Sequence, residues 1–225
     1  MIYQLITQLQ SGVPVSQVIA GFVALAIALV LGITVHEFSH ALAATWLGDS
    51  LPGRQGRLSL SPLAHLDVMG SLMFVVGGFG WGKPVQYNPF ALRAGARTGP
   101  AIVSAAGPIS NVILAILVAI PTRLVGLVLA GSAQSTTGLE LLFLILANIV
   151  QYNLILSFFN LIPVSPLDGF TILLGLLPPE LADQFEQTRQ YGIFLLFALV
   201  FLGSSIMGII LYQPVSNLTD LLIGM

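Results

Sequence analysis

The fold is decided by residues 18–47, which read VIAGFVALAIALVLGITVHEFSHALAATWL. This stretch predicts a single helix of thirty residues, about 45 Å long and therefore able to cross a hydrocarbon layer about 30 Å thick. No charged residue occurs from Met1 through Val35, yet His36, Glu37 and His40 follow within the same helix. Ionisable groups at membrane depth cost at least a few kcal/mol unless they are partnered, so these three indicate a site with a chemical role.

The composition is that of an integral membrane protein. Charged residues make up 7% of the 225 residues, where about 25% is usual, and the mean hydropathy is +0.96. A chain of this length has room for one helical bundle with short loops, so residues 1–225 are expected to form one domain. With a net charge of −2, the sequence lacks the excess of basic residues that indicates nucleic-acid binding. Because the chain has no cysteine, any zinc must be held by His, Asp or Glu.

The apolar segments predict an all-α, polytopic membrane bundle. Four segments are long enough to span, and two are short or re-entrant. The predicted spans are residues 18–47, 99–121, 139–162 and 191–212, and the short segments are residues 68–79 and 167–177. Residues 57–61 alternate with period two, which predicts a short strand-like piece at the membrane edge. No basic residue precedes Arg54, so the first apolar run is expected to remain as a membrane helix.

The basic residues predict the orientation. Five of the seven lie between the first two spans, namely Arg54, Arg57, Lys83, Arg93 and Arg97. With residues 68–79 re-entrant, all five share one side, which the positive-inside rule makes cytoplasmic. We therefore expect a multi-pass protein of the plasma membrane with its N-terminus outside and the His36–His40 site toward the cytoplasm.

The motif His36-Glu37-Phe38-Ser39-His40 has the spacing of a helical zinc site. Residues four apart lie on one helix face, so both imidazoles can turn toward one Zn²⁺ ion. Glu37 is rotated off that face, where it can act as general base without being a ligand. The alternative is a pair of histidines that hydrogen-bond between helices, but it leaves Glu37 unexplained.

A catalytic zinc usually takes three protein ligands, so a third ligand is expected elsewhere in the chain. Asp168 is the best choice, because Pro163 and Pro166 open the backbone before it and Gly169 follows it. The alternative is an ordinary turn in which Asp168 caps a helix. The other residues considered as ligands are Asp49, His65, Asp67, Glu140, Glu180 and Glu186. Of these, His65 and Asp67 lie in one loop and are expected to be local hydrogen-bonding groups.

A polar stripe lies on one face of the third predicted span. Its members are Asn153, Ser157 and Asn160. The stripe could line a wet cavity or could hydrogen-bond to neighbouring helices, and the sequence favours neither.

These motifs together resemble the site-2 protease family of intramembrane zinc metalloproteases. The resemblance rests on residues 36–40, on Asn160-Leu161-Ile162-Pro163-Val164-Ser165-Pro166-Leu167-Asp168-Gly169, and on Gly107-Pro108-Ile109-Ser110-Asn111. Residues 56–65 and 79–85 resemble the membrane-edge loops of the compact bacterial branch, which lacks a PDZ insertion. Ser61 and the Phe170-Thr171 pair depart from the usual pattern, which affects local packing or substrate contacts.

The resemblance implies a role for each motif residue. His36, His40 and Asp168 would bind one Zn²⁺ ion per chain, and Glu37 would be the catalytic base. Asn160 corresponds to a polar core residue near the substrate, and Asn160 and Asn111 are the expected substrate-binding or oxyanion residues. The substrate would be a transmembrane segment of another protein in the bilayer, and no oligomeric state is predicted.

Two other functions fit the same residues. A metal-ion transporter would have several ligand clusters along a path and often an internal repeat, whereas this sequence has one cluster and no repeat. A noncatalytic relative would bind membrane segments without cutting them, and the intact Glu37 argues against it.

Overall fold

The structure, a computed structural model, describes residue 7 and residues 10–77, 80–131 and 137–224. Its helices are α1 (Val15–Trp46), α2 (Leu51–Arg54), α3 (Val68–Gly77), α4 (Thr98–Gly131), α5 (Thr137–Asn160), α6 (Asp168–Leu176), α7 (Pro179–Glu186), α8 (Gly192–Leu202), α9 (Ser204–Met207) and α10 (Gln213–Ile223). Short 3₁₀ turns cover Pro62–Ala64, Pro89–Ala91 and Gln187–Tyr191, and a π-helical turn covers Gly208–Tyr212. The predicted all-α membrane fold is confirmed.

Four helical stretches in the described residues are long and apolar enough to cross a membrane: Val15–Trp46, Thr98–Gly131, Thr137–Asn160 and Ser205–Ile223. The first three correspond to predicted spans. The short helices α3 and α6, of ten and nine residues, are as expected too short to cross at about 1.5 Å per residue.

The predicted last span, residues 191–212, is wrong in its bounds. Helix α8 ends at Leu202, and the apolar stretch that can cross begins only at Ser205. The break lies at Gly203, whose N–H bonds to the carbonyls of Ala198 and Leu199. A Cβ at Gly203 would lie 2.5 Å from the Leu199 oxygen, so this bend requires glycine. Gly203 is followed by Ser204 and Ser205, but apolar stretches flank this triplet on both sides, so hydropathy does not reveal the bend.

The predicted strand at residues 57–61 is also wrong. Within the described part of the chain the only β-type contact is an isolated antiparallel bridge between Leu66 and Gly82. An alternating pattern indicates a strand only when its apolar face is buried, and the side chains of Leu58 and Leu60 are exposed.

Small residues bring the central helices together. Helices α1, α4 and α5 pack against one another, and α6 packs against α4. The buried small residues at these contacts include Ala24, Ala28, Gly32, Ala41 and Ala44 on α1 and Ala101, Gly107, Ala115 and Ala119 on α4. Such residues let helix backbones approach closely in a membrane, where large apolar side chains gain little from facing inward. The histidine helix therefore lies directly against the backbone of α4.

Arg57 connects two loops beside this bundle, one containing Ala64 and the other containing Lys83 and Pro84. Its side chain is buried, and it donates hydrogen bonds to the carbonyl oxygens of Ala64, Lys83 and Pro84. A guanidinium is suited to this because it offers five N–H donors in a fixed plane. The two loops are thus held by one side chain in addition to the Leu66–Gly82 bridge.

We expect Arg57→Met to loosen these loops, because a buried carbonyl left without a donor costs about 1–3 kcal/mol. The midpoint temperature of thermal unfolding in detergent should fall by several degrees, and limited proteolysis between residues 54 and 84 should be faster. Arg54→Met is the matched control, since Arg54 is exposed. Equal proteolysis of the two variants would contradict this role of Arg57.

Candidate metal centre

The side chains of His36, His40 and Asp168 converge. Asp168 Oδ2 lies 3.0 Å from His36 Nε2 and 3.3 Å from His40 Nε2. One potential ligand atom from each residue lies within 4.8 Å of the others. In the described residues, no other group of three His, Cys, Asp or Glu side chains is close enough to hold a metal ion. Two histidines from α1 thus meet a carboxylate from α6, more than a hundred residues later in the chain.

Asp168 is placed by the turn that precedes α6. Helix α6 begins at Asp168, its N-cap is Leu167, and no side chain caps it. The alternative interpretation of Asp168 as a helix cap is therefore wrong. Gly169 allows the backbone at the start of α6 to lie close to Leu161, because a Cβ at Gly169 would lie 2.2 Å from the Leu161 carbonyl oxygen.

Hydrogen bonds fix the orientation of both imidazoles. His40 Nδ1 donates to the Val103 carbonyl oxygen at 2.7 Å, and His36 Nδ1 donates to Asn111 Oδ1 at 2.6 Å. A carbonyl oxygen can only accept, so the proton of each neutral ring lies on Nδ1. Each Nε2 atom then presents a lone pair toward Asp168. Partners of this kind orient histidine ligands in metal sites generally.

The donor set fits a divalent cation. Two Nε2 lone pairs and one carboxylate oxygen face one another in a buried space, and Asp168 Oδ2 has no hydrogen-bond donor among the described residues. Three acceptors cannot stabilise one another without a positive charge between them. Two imidazole nitrogens and a carboxylate oxygen are typical of catalytic zinc sites.

Gly107 gives the imidazoles room. A Cβ at Gly107 would lie 2.5 Å from His40 Nε2 and 2.6 Å from His36 Nε2. The next residue, Pro108, has no N–H and removes one helical hydrogen bond from α4. The α4 backbone itself, without any side chain, therefore forms the wall beside the two metal-facing nitrogens.

Glu37 lies next to the same site but beneath the loops. A Cβ at Gly82 would lie 3.1 Å from Glu37 Oε1, and Glu37 Oε2 is buried without a hydrogen-bond partner among the described residues. Burial lowers the pKa of the Arg57 guanidinium, and the negative charge of Glu37 acts in the opposite direction. One oxygen of this half-buried side chain is thus buried and without a hydrogen-bond partner among the described residues, and the carboxylate is within electrostatic reach of Arg57.

The other residues considered as ligands have different surroundings. His65 Nε2 hydrogen-bonds to the Ser59 carbonyl, and Asp67 accepts from the Gly70 N–H, so both are local hydrogen-bonding groups as predicted. Asp49 accepts from the N–H groups of Leu51 and Asn88. Glu186 pairs with Arg189, and the two remaining carboxylates, Glu140 and Glu180, are exposed.

The two asparagines expected to bind substrate lie in different settings. Asn111 Nδ2 donates to both the Gly32 carbonyl and Asn153 Oδ1, so neither amide hydrogen is free for an oxyanion. Asn160 Nδ2 donates to Leu156 O within its own helix. Of the polar stripe, Asn153 hydrogen-bonds to a neighbouring helix, Asn160 bonds within its own helix, and Ser157 Oγ is buried without a hydrogen-bond partner among the described residues.

Sequence reasoning missed the Val103 carbonyl, which is a direct partner of His40, and Asn153, which contacts Asn111 and so reaches His36 only indirectly. The Val103 carbonyl has no sequence signal, because every residue carries one. Asn153 belongs to the polar stripe described above. The spacing of that stripe identifies one face of α5 but not the helix that this face contacts.

The fold and the site define a multi-pass helical membrane protein with a buried candidate metal centre of two histidines and one carboxylate. The chain is 38% identical over 189 residues to a Bacillus subtilis (strain 168) protein named "Putative zinc metalloprotease YwhC", covering 81% of this chain and 83% of that protein. It therefore belongs to the site-2 protease family of zinc metalloproteases.

More distant relatives carry a similar name. Two proteins named "Putative zinc metalloprotease Rip2", from Mycolicibacterium smegmatis and Mycobacterium tuberculosis H37Rv, are each 30% identical over 76% and 79% of this chain. The chain spans 63% and 66% of their lengths, less than two thirds in each case. No family model matches the chain, and no solved structure matches it.

Proposed function

We propose that this chain is a zinc metalloendopeptidase that cuts a transmembrane segment of another membrane protein. The observation that carries the proposal is the convergence of His36, His40 and Asp168, with the Glu37 carboxylate beside them, within apolar membrane helices. Membership of a family whose relatives are named zinc metalloproteases supports both the metal and the reaction.

In this proposal His36, His40 and Asp168 hold one Zn²⁺ ion per chain. When bound, zinc lowers the pKa of a water from about 15.7 toward about 7 and polarises the carbonyl of the bond to be cut. The fixed Nδ1–H groups keep both histidines in the tautomer that leaves Nε2 available.

Glu37 acts as the general base and then as the general acid. Its carboxylate takes a proton from the attacking water and delivers that proton to the amide nitrogen as the C–N bond breaks. Since Oε2 has no hydrogen-bond partner among the described residues, a lone pair is ready to accept the proton. General acid–base catalysis of this kind contributes about 10²- to 10⁴-fold in rate.

The substrate segment must unwind before it is cut, because a helix occupies its own peptide groups in hydrogen bonds. We place the unwound segment near the loops at Leu66 and Gly82, which form a strand-like bridge beside Glu37. Asn160 is the proposed substrate contact through its second amide hydrogen. Asn111 is not proposed as an oxyanion donor, because its hydrogens are engaged elsewhere.

The site is proposed to face the cytoplasm in the plasma membrane. Five of the seven basic residues lie in the segment between α1 and α4, which is the segment that covers Glu37. The positive-inside rule then puts these loops, and the site beneath them, on the cytoplasmic side.

The direct test is cleavage by purified protein in detergent or lipid vesicles, with a single-span membrane peptide as substrate. A strong chelator should stop cleavage, and added Zn²⁺ should restore it. A transporter would instead move Zn²⁺ into vesicles without cutting any peptide. Cleavage that continues at the same rate in the chelator would overturn the metal-dependent mechanism.

Asp168→Ala should lose zinc, because two imidazoles alone leave the site one ligand short. We expect the zinc content measured by elemental analysis to fall from about one per chain to near zero after dialysis. Asp183→Ala is the control, since Asp183 is an exposed carboxylate on α7. Equal zinc in the wild type and Asp168→Ala would remove Asp168 from the ligand set.

A further inference from the structure

A chain of side-chain hydrogen bonds leads away from His36 and crosses three helices. His36 Nδ1 donates to Asn111 Oδ1 on α4 at 2.6 Å, and Asn111 Nδ2 donates to Asn153 Oδ1 on α5 at 2.7 Å. Asn153 Nδ2 in turn donates to the Ile149 carbonyl at 2.8 Å. Asn111 and Asn153 are both 0% exposed, so water cannot replace any of these bonds.

Backbone carbonyls set the direction of every bond in this chain. The Ile149 carbonyl can only accept, so it holds the NH₂ end of the Asn153 amide and leaves Oδ1 facing Asn111. The Gly32 carbonyl likewise accepts from Asn111 Nδ2 at 3.1 Å. With both amide hydrogens engaged, Asn111 must present Oδ1 to His36. The proton of His36 is therefore held on Nδ1, and Nε2 keeps its lone pair.

The packing of α1 against α5 accommodates this chain of hydrogen bonds. Gly32 lies one helical turn before His36, and a Cβ there would lie 2.7 Å from Leu156 Cδ1 and 3.1 Å from Asn153 Oδ1. The absence of a side chain at Gly32 thus lets Asn153 reach Asn111 beneath the histidine.

We propose that Asn153 is a positioning residue for the metal centre, acting through Asn111 on the tautomer and orientation of His36. The inference rests on the proposed zinc site. Without the Asn153 acceptor, one Asn111 hydrogen is left unpaired in a buried, low-dielectric place, and the amide can reorient. His40 depends on the backbone carbonyl of Val103 instead, so His36 is the ligand whose orientation depends on side chains.

The expected effect is a loss of zinc affinity. Changes to the direct partners of metal-binding histidines cost about 10- to 100-fold in affinity, so Asn111→Leu should fall in this range. Asn153 acts one residue further out, and Asn153→Leu should weaken zinc binding by about tenfold, the lower end of that range.

Three variants of the purified full chain separate positioning from packing, with zinc affinity measured by competition against a chelating zinc indicator. Asn153→Leu keeps the branching at Cγ but removes the acceptor, whereas Asn153→Asp keeps both the size and an oxygen facing Asn111. Positioning predicts that the Asp variant retains more of the affinity than the Leu variant. A purely structural role predicts the reverse order, because a buried carboxylate that faces the Ile149 carbonyl without a donor destabilises the bundle more than leucine does. Asn148→Leu is the control on the same helix, because Asn148 donates only to Leu144 O within α5 in the bonds described.

Each outcome bears on a different claim. Circular dichroism and gel filtration of the metal-free protein identify variants that fold, and Asn153→Ala gives a second measurement without the bulk of leucine. Wild-type zinc affinity in Asn153→Leu or Asn153→Ala would overturn the positioning role and leave the proposed protease intact. A wild type that binds no zinc would instead overturn the proposed function itself.

Discussion

Glu37→Gln should abolish peptide cleavage while the protein keeps its zinc. Glutamine has the shape of glutamate but cannot take a proton from water, so the rate should fall by about 10²- to 10⁴-fold. The zinc content should stay that of the wild type, because Glu37 is proposed as the base and not as a ligand. Cleavage of a single-span membrane peptide and elemental analysis on the same preparation measure both quantities.

Glu180→Gln is the matched control, since Glu180 is an exposed carboxylate on α7. It should cut at the wild-type rate. A Glu37→Gln protein that still cuts would remove Glu37 from the mechanism. One that loses zinc together with activity would show instead that Glu37 is a ligand. A chain that transports ions would keep transporting them after this substitution, so the same variant also discriminates against the transporter.

Gly107→Ala should eliminate both zinc binding and cleavage although it adds a single methyl group. The new Cβ would lie 2.5 Å from His40 Nε2 and 2.6 Å from His36 Nε2, where carbon atoms normally keep about 3.5–4.0 Å. The two rings must therefore move by about 1 Å, and a displacement of this size costs about 100-fold in catalysis. Zinc titration and the cleavage assay should both show the loss.

Gly21→Ala is the control for the general effect of alanine in a helix. Gly21 lies in α1, and a Cβ there meets nothing within 4 Å. Because alanine favours helix by about 0.5–1 kcal/mol over glycine, this variant should be as stable as the wild type or slightly more so, with unchanged zinc binding. The same substitution thus has opposite expected effects at two helix positions. Normal zinc affinity in Gly107→Ala would contradict the close approach of α4 to the imidazoles.

Local geometry explains which parts of the site were predictable. His36 and His40 lie on one helix, so their spacing alone predicts a shared face. The meeting of Asp168 with them depends on how α6 packs against the bundle, and the sequence supported it by the prolines and the glycine around Asp168 and by the family resemblance. The contact of Asn111 with Asn153 depends on the rotation of α4 against α5, which no local pattern encodes.

The fold, like the site, was predictable only where local sequence patterns determine it. The long apolar stretches predicted three of the spans, because length and hydropathy are sufficient to identify a spanning helix. Hydropathy did not reveal the break at Gly203, because the Gly-Ser-Ser triplet of residues 203–205 is short and lies between two apolar stretches. The alternating residues 57–61 resembled a strand, but a strand needs a partner, and in the described residues the bridge partners are Leu66 and Gly82.

The separation of Asp168 from the two histidines along the chain has a consequence for biosynthesis. Ribosomes add about 5–20 residues per second, so α1 enters the membrane roughly ten seconds before Asp168 has been made. During that interval the nascent protein has the two imidazoles and the Glu37 carboxylate but lacks the third ligand. Under the proposed function, the chain therefore lacks a complete metal site while its first helices are being inserted, and it can acquire activity only after α6 has packed against the bundle.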